Sequence, residues 1–154
     1  MSTLRGAAAL GACLVAVAWA QAPAQEPPKE ELLAELRRQI AGREQEPAEA
    51  VFRDIEVMKG RTAEQLLAVM DLGYSRSLGV GCGHCHDTGD WPADAKPQKQ
   101  VARQMTLMNR EINAKLRTIE GLESDPPVIN CTTCHRGQKK PALNLDPPPP
   151  APGG

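Results

Sequence analysis

One short pattern of cysteine and histidine, present twice, constrains this sequence more than any other feature. Residues 82–86 read C-G-H-C-H and residues 131–135 read C-T-T-C-H. In this spacing two thiols can form thioether bonds to the vinyl groups of one haem, and the adjacent histidine is held beneath the iron as its proximal ligand. The sequence therefore predicts two covalently bound haem c groups. The predicted thioether residues are Cys82, Cys85, Cys131 and Cys134, and the predicted proximal ligands are His86 and His135.

Paired cysteines have three other common uses, namely disulfides, thioredoxin-like redox pairs and zinc sites. A zinc ribbon needs no histidine after each pair and usually spaces its pairs about 15–20 residues apart, whereas forty-five residues separate Cys85 from Cys131. A thioredoxin-like pair needs a βαβ setting, and no such pattern is visible. Covalent haem is therefore the interpretation that the two motifs favour.

The distal ligands must come from outside the two motifs. His84, the third histidine of the chain, lies inside the first motif and is expected to be a bystander near the haem edge. Residues 62–65 have the form of a capping box that begins a helix. Met70 and Tyr74 follow Leu66 at four-residue steps, so Met70 falls on the predicted buried stripe and is the candidate distal ligand of the first haem.

A second amphipathic helix is predicted over residues 98–116. Its apolar positions step by three or four residues, which places Met105 and Met108 on the same stripe. Periodicity cannot choose between these two as distal ligand of the second haem. The alternative is that the methionines only fill gaps in a core, which is what most buried methionines do.

Composition limits the size and the partners of the fold. The chain has 154 residues but only four aromatic side chains, which excludes a two-domain enzyme with a large preformed pocket. Eighteen Lys and Arg balance nineteen Asp and Glu, so nothing supports nucleic acid as a partner.

The chain ends predict export. Residues 1–20 combine Arg5, an apolar stretch and the small-residue pattern Ala18-Trp19-Ala20, which is the layout of a secretory signal. A periplasmic location is expected. An uncleaved N-terminal anchor and lipidation at Cys13 are two alternatives that would hold the protein at the membrane. The predicted divisions are residues 1–20, signal peptide or anchor; 21–49, polar spacer and amphipathic helix; 50–140, di-haem cytochrome c domain; and 141–154, proline-rich tail.

Residues 50–140 resemble the cytochrome c subunit of photosynthetic reaction centres. In that family a helical methionine precedes the haem motif and supplies the sixth ligand, which implies Met70 for the first haem and Met108 for the second, with Met105 as runner-up. Members that serve a reaction centre typically carry four haem motifs, and this chain has two. A short relative that donates electrons in another periplasmic chain is an equally supported interpretation. The residues that carry the resemblance are 94–97 (D-A-K-P), Lys99, Arg103, Met105, Met108, Asn113 and 131–137 (C-T-T-C-H-R-G).

These features predict a mainly α fold, a small multihaem c-type cytochrome with helices packed around two covalently bound haems. The expected function is electron transfer without catalysis, and the expected partners are redox proteins, among them a membrane complex. No nucleic acid or small-molecule substrate is indicated. The alternative is a di-haem enzyme such as a peroxidase, or a haem sensor, with one open distal site; no acid–base histidine is available for such an enzyme.

Overall fold

The computed structural model describes residues 26–141 and 143–144, and its regular structure is helical. Within these ranges there are two isolated β-bridges and no strand. The mainly α fold predicted from the sequence is therefore confirmed. The elements are α1 (Lys29–Gln39), α2 (Ala48–Val51), α3 (Ala63–Ala68), a π-helical segment (Val69–Ser75), α4 (Arg76–Leu78), a 3-10 turn (Cys82–His84), α5 (Pro97–Leu116) and α6 (Cys131–His135).

The helix predicted to lead into the first motif begins and ends as its sequence indicates. Thr62 Oγ1 accepts a hydrogen bond from the Gln65 backbone N–H at 3.2 Å, and the Gln65 side chain accepts one from the Thr62 N–H at 3.1 Å. Gly79 ends α4 in the left-handed conformation, which glycine adopts without a steric cost. The middle of this run differs from the prediction, because Val69–Ser75 forms a π-helical segment. Such segments often lie at functional sites.

The hydrophobic core of the described chain is small and joins α1, α2 and α3. One cluster contains Ile40, Ala63 and Leu67, and Ile40 is only 1% exposed. A second cluster contains Ala48 and Leu66 together with Met58, and Phe52 packs against both clusters. The predicted amphipathic helix of residues 21–49 is found as α1, and it is buried at Leu33 and at the adjoining Ile40.

The long helix α5 packs on the rest of the described chain through its polar face. Its buried residues are Lys99 and Arg103, on its polar face. The apolar stripe lies at the surface instead, with Met105 36%, Met108 42% and Ile112 37% exposed. The predicted stripe therefore exists, but the described residues do not bury it.

Several sequence-based predictions lie outside the described residues. They are the signal peptide, its cleavage site, Cys13 and nearly all of the proline-rich tail. No described helix has both the length and the hydropathy needed to span a bilayer.

Candidate functional site

The first motif (residues 82–86) is wound into a tight turn directly after α4. The backbone N–H groups of Cys85 and His86 both donate to the carbonyl of Cys82, at 3.2 and 3.0 Å. The N–H of Gly83 donates to the Glu26 carboxylate at 2.5 Å, so the start of the described chain is tied to this turn. One short turn therefore carries both thiols and the imidazole of the motif.

This turn opens on a cavity of about 350 Å³. Cys82, Cys85 and His86 line it, and so does Met70 from the π-helical segment. The structure thus brings together all four residues predicted for the first haem. Apolar side chains from α1, α3, α5 and the 51–58 loop complete the wall, among them Leu33, Leu36, Ile55, Leu66 and Ala102. An apolar pocket with few polar groups is the usual form of a cofactor site.

The imidazole of His86 is oriented by a backbone carbonyl. Its Nδ1 lies 3.2 Å from the oxygen of Trp91. Because a carbonyl oxygen can only accept, Nδ1 carries the proton and Nε2 keeps its lone pair for a metal. Burial is the largest cause that lowers the pKa of His86, which favours the neutral, ligating form.

The second motif forms α6 and repeats this arrangement. Asn130 caps the helix, since its side chain accepts from the Thr133 N–H at 3.2 Å while Thr133 Oγ1 accepts from the Asn130 N–H at 3.1 Å. His135 Nδ1 lies 3.0 Å from the carbonyl oxygen of Gln138. His135 therefore also presents Nε2 as its metal-binding atom.

Two sets of hydrogen bonds hold the second motif between α4 and α5. The Asn113 side chain pairs with both backbone groups of Ile129, donating to its carbonyl at 2.9 Å and accepting from its N–H at 2.8 Å. On the other side, the Ser77 and Thr132 hydroxyls lie 2.6 Å apart, and the Gly137 N–H donates to the Ser77 carbonyl at 2.8 Å. Neither set was predicted from the sequence, because each joins residues distant in the chain.

The competing uses of the cysteines find no support in this geometry. Cys82, Cys85, Cys131 and Cys134 are all free thiols. In the described part of the chain, the group of three candidate ligands close enough to share a metal ion consists of Asp54, Glu56 and Asp94, and it includes no cysteine. Burial raises the pKa of the Cys82, Cys85 and Cys131 thiols, which keeps them in the neutral form. The donor set at each motif instead fits covalent haem, with two thiols and one oriented imidazole.

A network of charged side chains lies beside the first cavity and was not predicted from the sequence. Lys99 and Arg103 are the charged residues that the described structure buries, and both line the cavity. Arg103 contacts Asp54 at 2.6 Å, Glu56 at 3.1 Å and Asp94 at 2.8 Å. Two sequence signals could have indicated it: the four-residue spacing of Lys99 and Arg103 on one face of α5, and the presence of Asp94, Lys99 and Arg103 among the residues that carry the family resemblance.

A mainly α chain with two C-x-x-C-H turns, each presenting an oriented imidazole, belongs to the class of c-type cytochromes. The family model for the photosynthetic reaction centre cytochrome c subunit matches residues 7–145. The chain therefore belongs to this family, whose members are haem proteins that transfer electrons and are not enzymes. The resemblance inferred from the Met-helix and the C-x-x-C-H motifs is confirmed.

Individual relatives are similar over about half of the chain or more. Cytochrome c-554 of Chloroflexus aurantiacus is 34% identical over 83 residues, covering 53% of this chain and 20% of that protein. Photosynthetic reaction center cytochrome c subunits are 35% identical over 95 residues in Rubrivivax gelatinosus and 32% over 108 residues in Roseobacter denitrificans. These two alignments cover 53% and 62% of this chain, and 25% and 29% of the relatives. The chain thus spans less than a third of the length of each of these proteins.

Proposed function

We propose that this chain is a di-haem c-type cytochrome that carries electrons in a periplasmic or membrane-associated electron transport chain. The observation that carries the proposal is the repeated turn, in which His86 and His135 each bind a backbone carbonyl through Nδ1 and keep Nε2 for iron. Membership of a family of electron-transferring haem proteins supports it.

The four cysteines of the motifs are proposed to attach the haems. Each thiol adds across a haem vinyl group, so that sulfur bonds to one vinyl carbon and the thiol hydrogen passes to the other; the step needs no oxidant. Cys82 and Cys85 hold the first haem, and Cys131 and Cys134 hold the second. Bound haem supplies one-electron chemistry, and the chain binds, shields and orients it.

Met70 is proposed as the distal ligand of the first haem, because it lines the same cavity as His86. Met108 is proposed for the second haem, with Met105 as the alternative, since both lie on the exposed apolar face of α5. The Asn109 side chain donates a hydrogen bond to the Ile129 carbonyl at 3.3 Å. Because an α-helix turns by about 100° per residue, Met105 lies closer than Met108 to Asn109 around the helix axis. The sequence resemblance favours Met108, so variants of both residues are required.

A redox protein is proposed as the partner, in a membrane complex or close to one. Two of the similar proteins are named as reaction center subunits, which makes a photosynthetic complex one candidate. Another periplasmic electron transport chain is the second. Export through the N-terminal segment, with an uncleaved anchor or a lipidated Cys13 as alternatives, is part of the same proposal.

The mass of the purified holoprotein and the spectra of four methionine variants test this function. We expect two haems per chain, both low-spin. Met70→Ala and Met108→Ala should each make one haem high-spin or lower its potential and leave the other unchanged, because Met/His ligation raises the potential. Met58→Ala is the matched control. Met58 also lines the first cavity but packs in the second core cluster, so its loss should cost about 2–5 kcal/mol of stability without making a haem high-spin; a high-spin first haem in this variant would make Met58 the ligand instead of Met70.

Different outcomes identify different errors. If Met105→Ala changes the second haem and Met108→Ala does not, Met105 is the ligand. If the wild-type protein shows a high-spin haem that binds carbon monoxide rapidly, one distal site is open and the enzyme or sensor alternative replaces the carrier.

A further inference from the structure

Lys99 is a buried cation in the wall of the first cavity, and its side chain is 10% exposed. Its ammonium nitrogen lies 3.3 Å from the carbonyl oxygen of Trp91, 2.7 Å from that of Pro92 and 3.1 Å from that of Ala93. Three successive carbonyls therefore converge on one ammonium group, which has three N–H donors.

Two carboxylates hold this ammonium in place. Lys99 Nζ lies 2.5 Å from Asp54 and 3.0 Å from Asp94. Arg103 contacts the same two carboxylates, at 2.6 and 2.8 Å. A buried cation persists only when it is paired, and here the pairing fixes both the position of Lys99 and the loop that it binds.

The carbonyl of Trp91 is shared between Lys99 and His86, since it also accepts from His86 Nδ1 at 3.2 Å. We propose that Lys99 is the positioning residue of the first haem site. It fixes the carbonyls of residues 91–93, and through Trp91 it fixes the orientation and the tautomer of the His86 ring. The inference rests on the proposed function in one respect, that His86 binds haem iron. Groups that orient a ligating histidine determine how well it binds metal.

Among the residues that the structure describes, the second site has no counterpart of Lys99, so it provides an internal reference. His135 Nδ1 binds the Gln138 carbonyl at 3.0 Å. Among the side chains that the structure describes, none donates to that carbonyl. A change at Lys99 should therefore affect the imidazole of His86 and leave that of His135 unaffected.

Hydrogen exchange of the two imidazole Nδ1–H groups, measured by NMR on the reduced holoprotein, tests the proposal. In Lys99→Met we expect exchange at His86 to become roughly tenfold faster, which corresponds to losing one ordinary hydrogen bond, while exchange at His135 is unchanged. Lys115→Met is the matched control, because it makes the same change at an exposed lysine of α5 and leaves every contact of Lys99 in place. In this variant His86 should keep its wild-type exchange rate.

Unchanged exchange at His86 in Lys99→Met would overturn the proposal. Equal acceleration at both histidines, or the same acceleration in Lys115→Met, would overturn it too, because either result indicates general loosening. A second measurement needs no variant. In the wild-type protein the Lys99 ammonium protons should exchange slowly enough for detection, unlike those of exposed Lys115, and fast exchange at Lys99 contradicts the inference. The proposed function fails separately. It is refuted if the peptide that contains residues 82–86 does not carry the added mass of a haem.

Discussion

At the scale of single residues, one glycine sets the distance between α4 and the loop after the second motif. Gly79 has a φ of 65°, and a Cβ built on it would overlap the carbonyl oxygen of Gly137. The Gly137 N–H in turn donates to the Ser77 carbonyl at 2.8 Å. Two backbones thus meet without an intervening side chain, and only glycine fits both the conformation and the contact at this position.

Gly79→Ala is therefore expected to be costly. The left-handed conformation alone disfavours alanine by about 1–2 kcal/mol, and displacing Gly137 adds to that loss of unfolding free energy. Gly60→Ala is the matched control, because Gly60 has a φ of 82° and nothing lies within 4 Å of its built Cβ. Urea unfolding of the two holoproteins measures the difference. Equal losses for both variants would mean that the contact with Gly137 contributes nothing to stability.

At the scale of elements, local sequence signals predicted the helix ends well. The capping box at Thr62 and the long helix, predicted over residues 98–116 and found as Pro97–Leu116, both follow from short-range patterns. These features depend on residues within one or two turns, and such residues are adjacent in the sequence. The π-helical segment was missed, because a single interior glycine, Gly73, weakens a helix without indicating which kind of helix forms.

The packing of α5 was not predictable in the same way. An amphipathic pattern assumes that the polar face meets water. In α5 the polar face finds partners elsewhere in the chain. Arg103 reaches Asp54, forty-nine positions away, and the Asn113 amide pairs with the backbone of Ile129. Contacts between such distant positions leave no periodic signature, so the sequence identified both faces of α5 but not the contacts that its polar face makes.

The ion pairs on the charged face of α5 predict that the free energy of unfolding decreases in acid. Hydrogen bonds from Arg103 and Lys99 lower the pKa of Asp94 to about 2. A carboxyl whose folded pKa is depressed stabilises the fold above its unfolded value, near 3.9, and loses this contribution as the pH falls towards the folded value. The difference in stability between wild type and Asp94→Asn should therefore be constant above about pH 4 and shrink between about pH 4 and 2. Urea unfolding at a series of pH values measures it. A difference that persists undiminished at pH 2 would contradict the role of the ionised carboxylate.

At the scale of the whole molecule, the two sites are embedded to different depths. The first cavity is lined from α1, α3, the π-helical segment, α5 and the 51–58 loop, so it adjoins both core clusters. The second motif is held mainly by the Asn113 pair and by the contacts of Ser77 with Thr132 and Gly137. In a chain with so few large core side chains, the haem proposed for the first site would add apolar contacts to both core clusters.

Removing each attachment site in turn should therefore have unequal effects. In Cys82→Ser/Cys85→Ser we expect most of the helical circular dichroism to be lost, because the elements around the first cavity lose the apolar group they share. In Cys131→Ser/Cys134→Ser we expect α1 and α3 to stay protected in amide hydrogen exchange, while protection is lost at Ile129 and along α6. The two variants are matched in chemistry, since each replaces two thiols by hydroxyls and removes one haem. A comparable loss of structure in both variants would show that the second haem is as central to the fold as the first. The apolar face of α5 would then belong to a core that the two haem sites share.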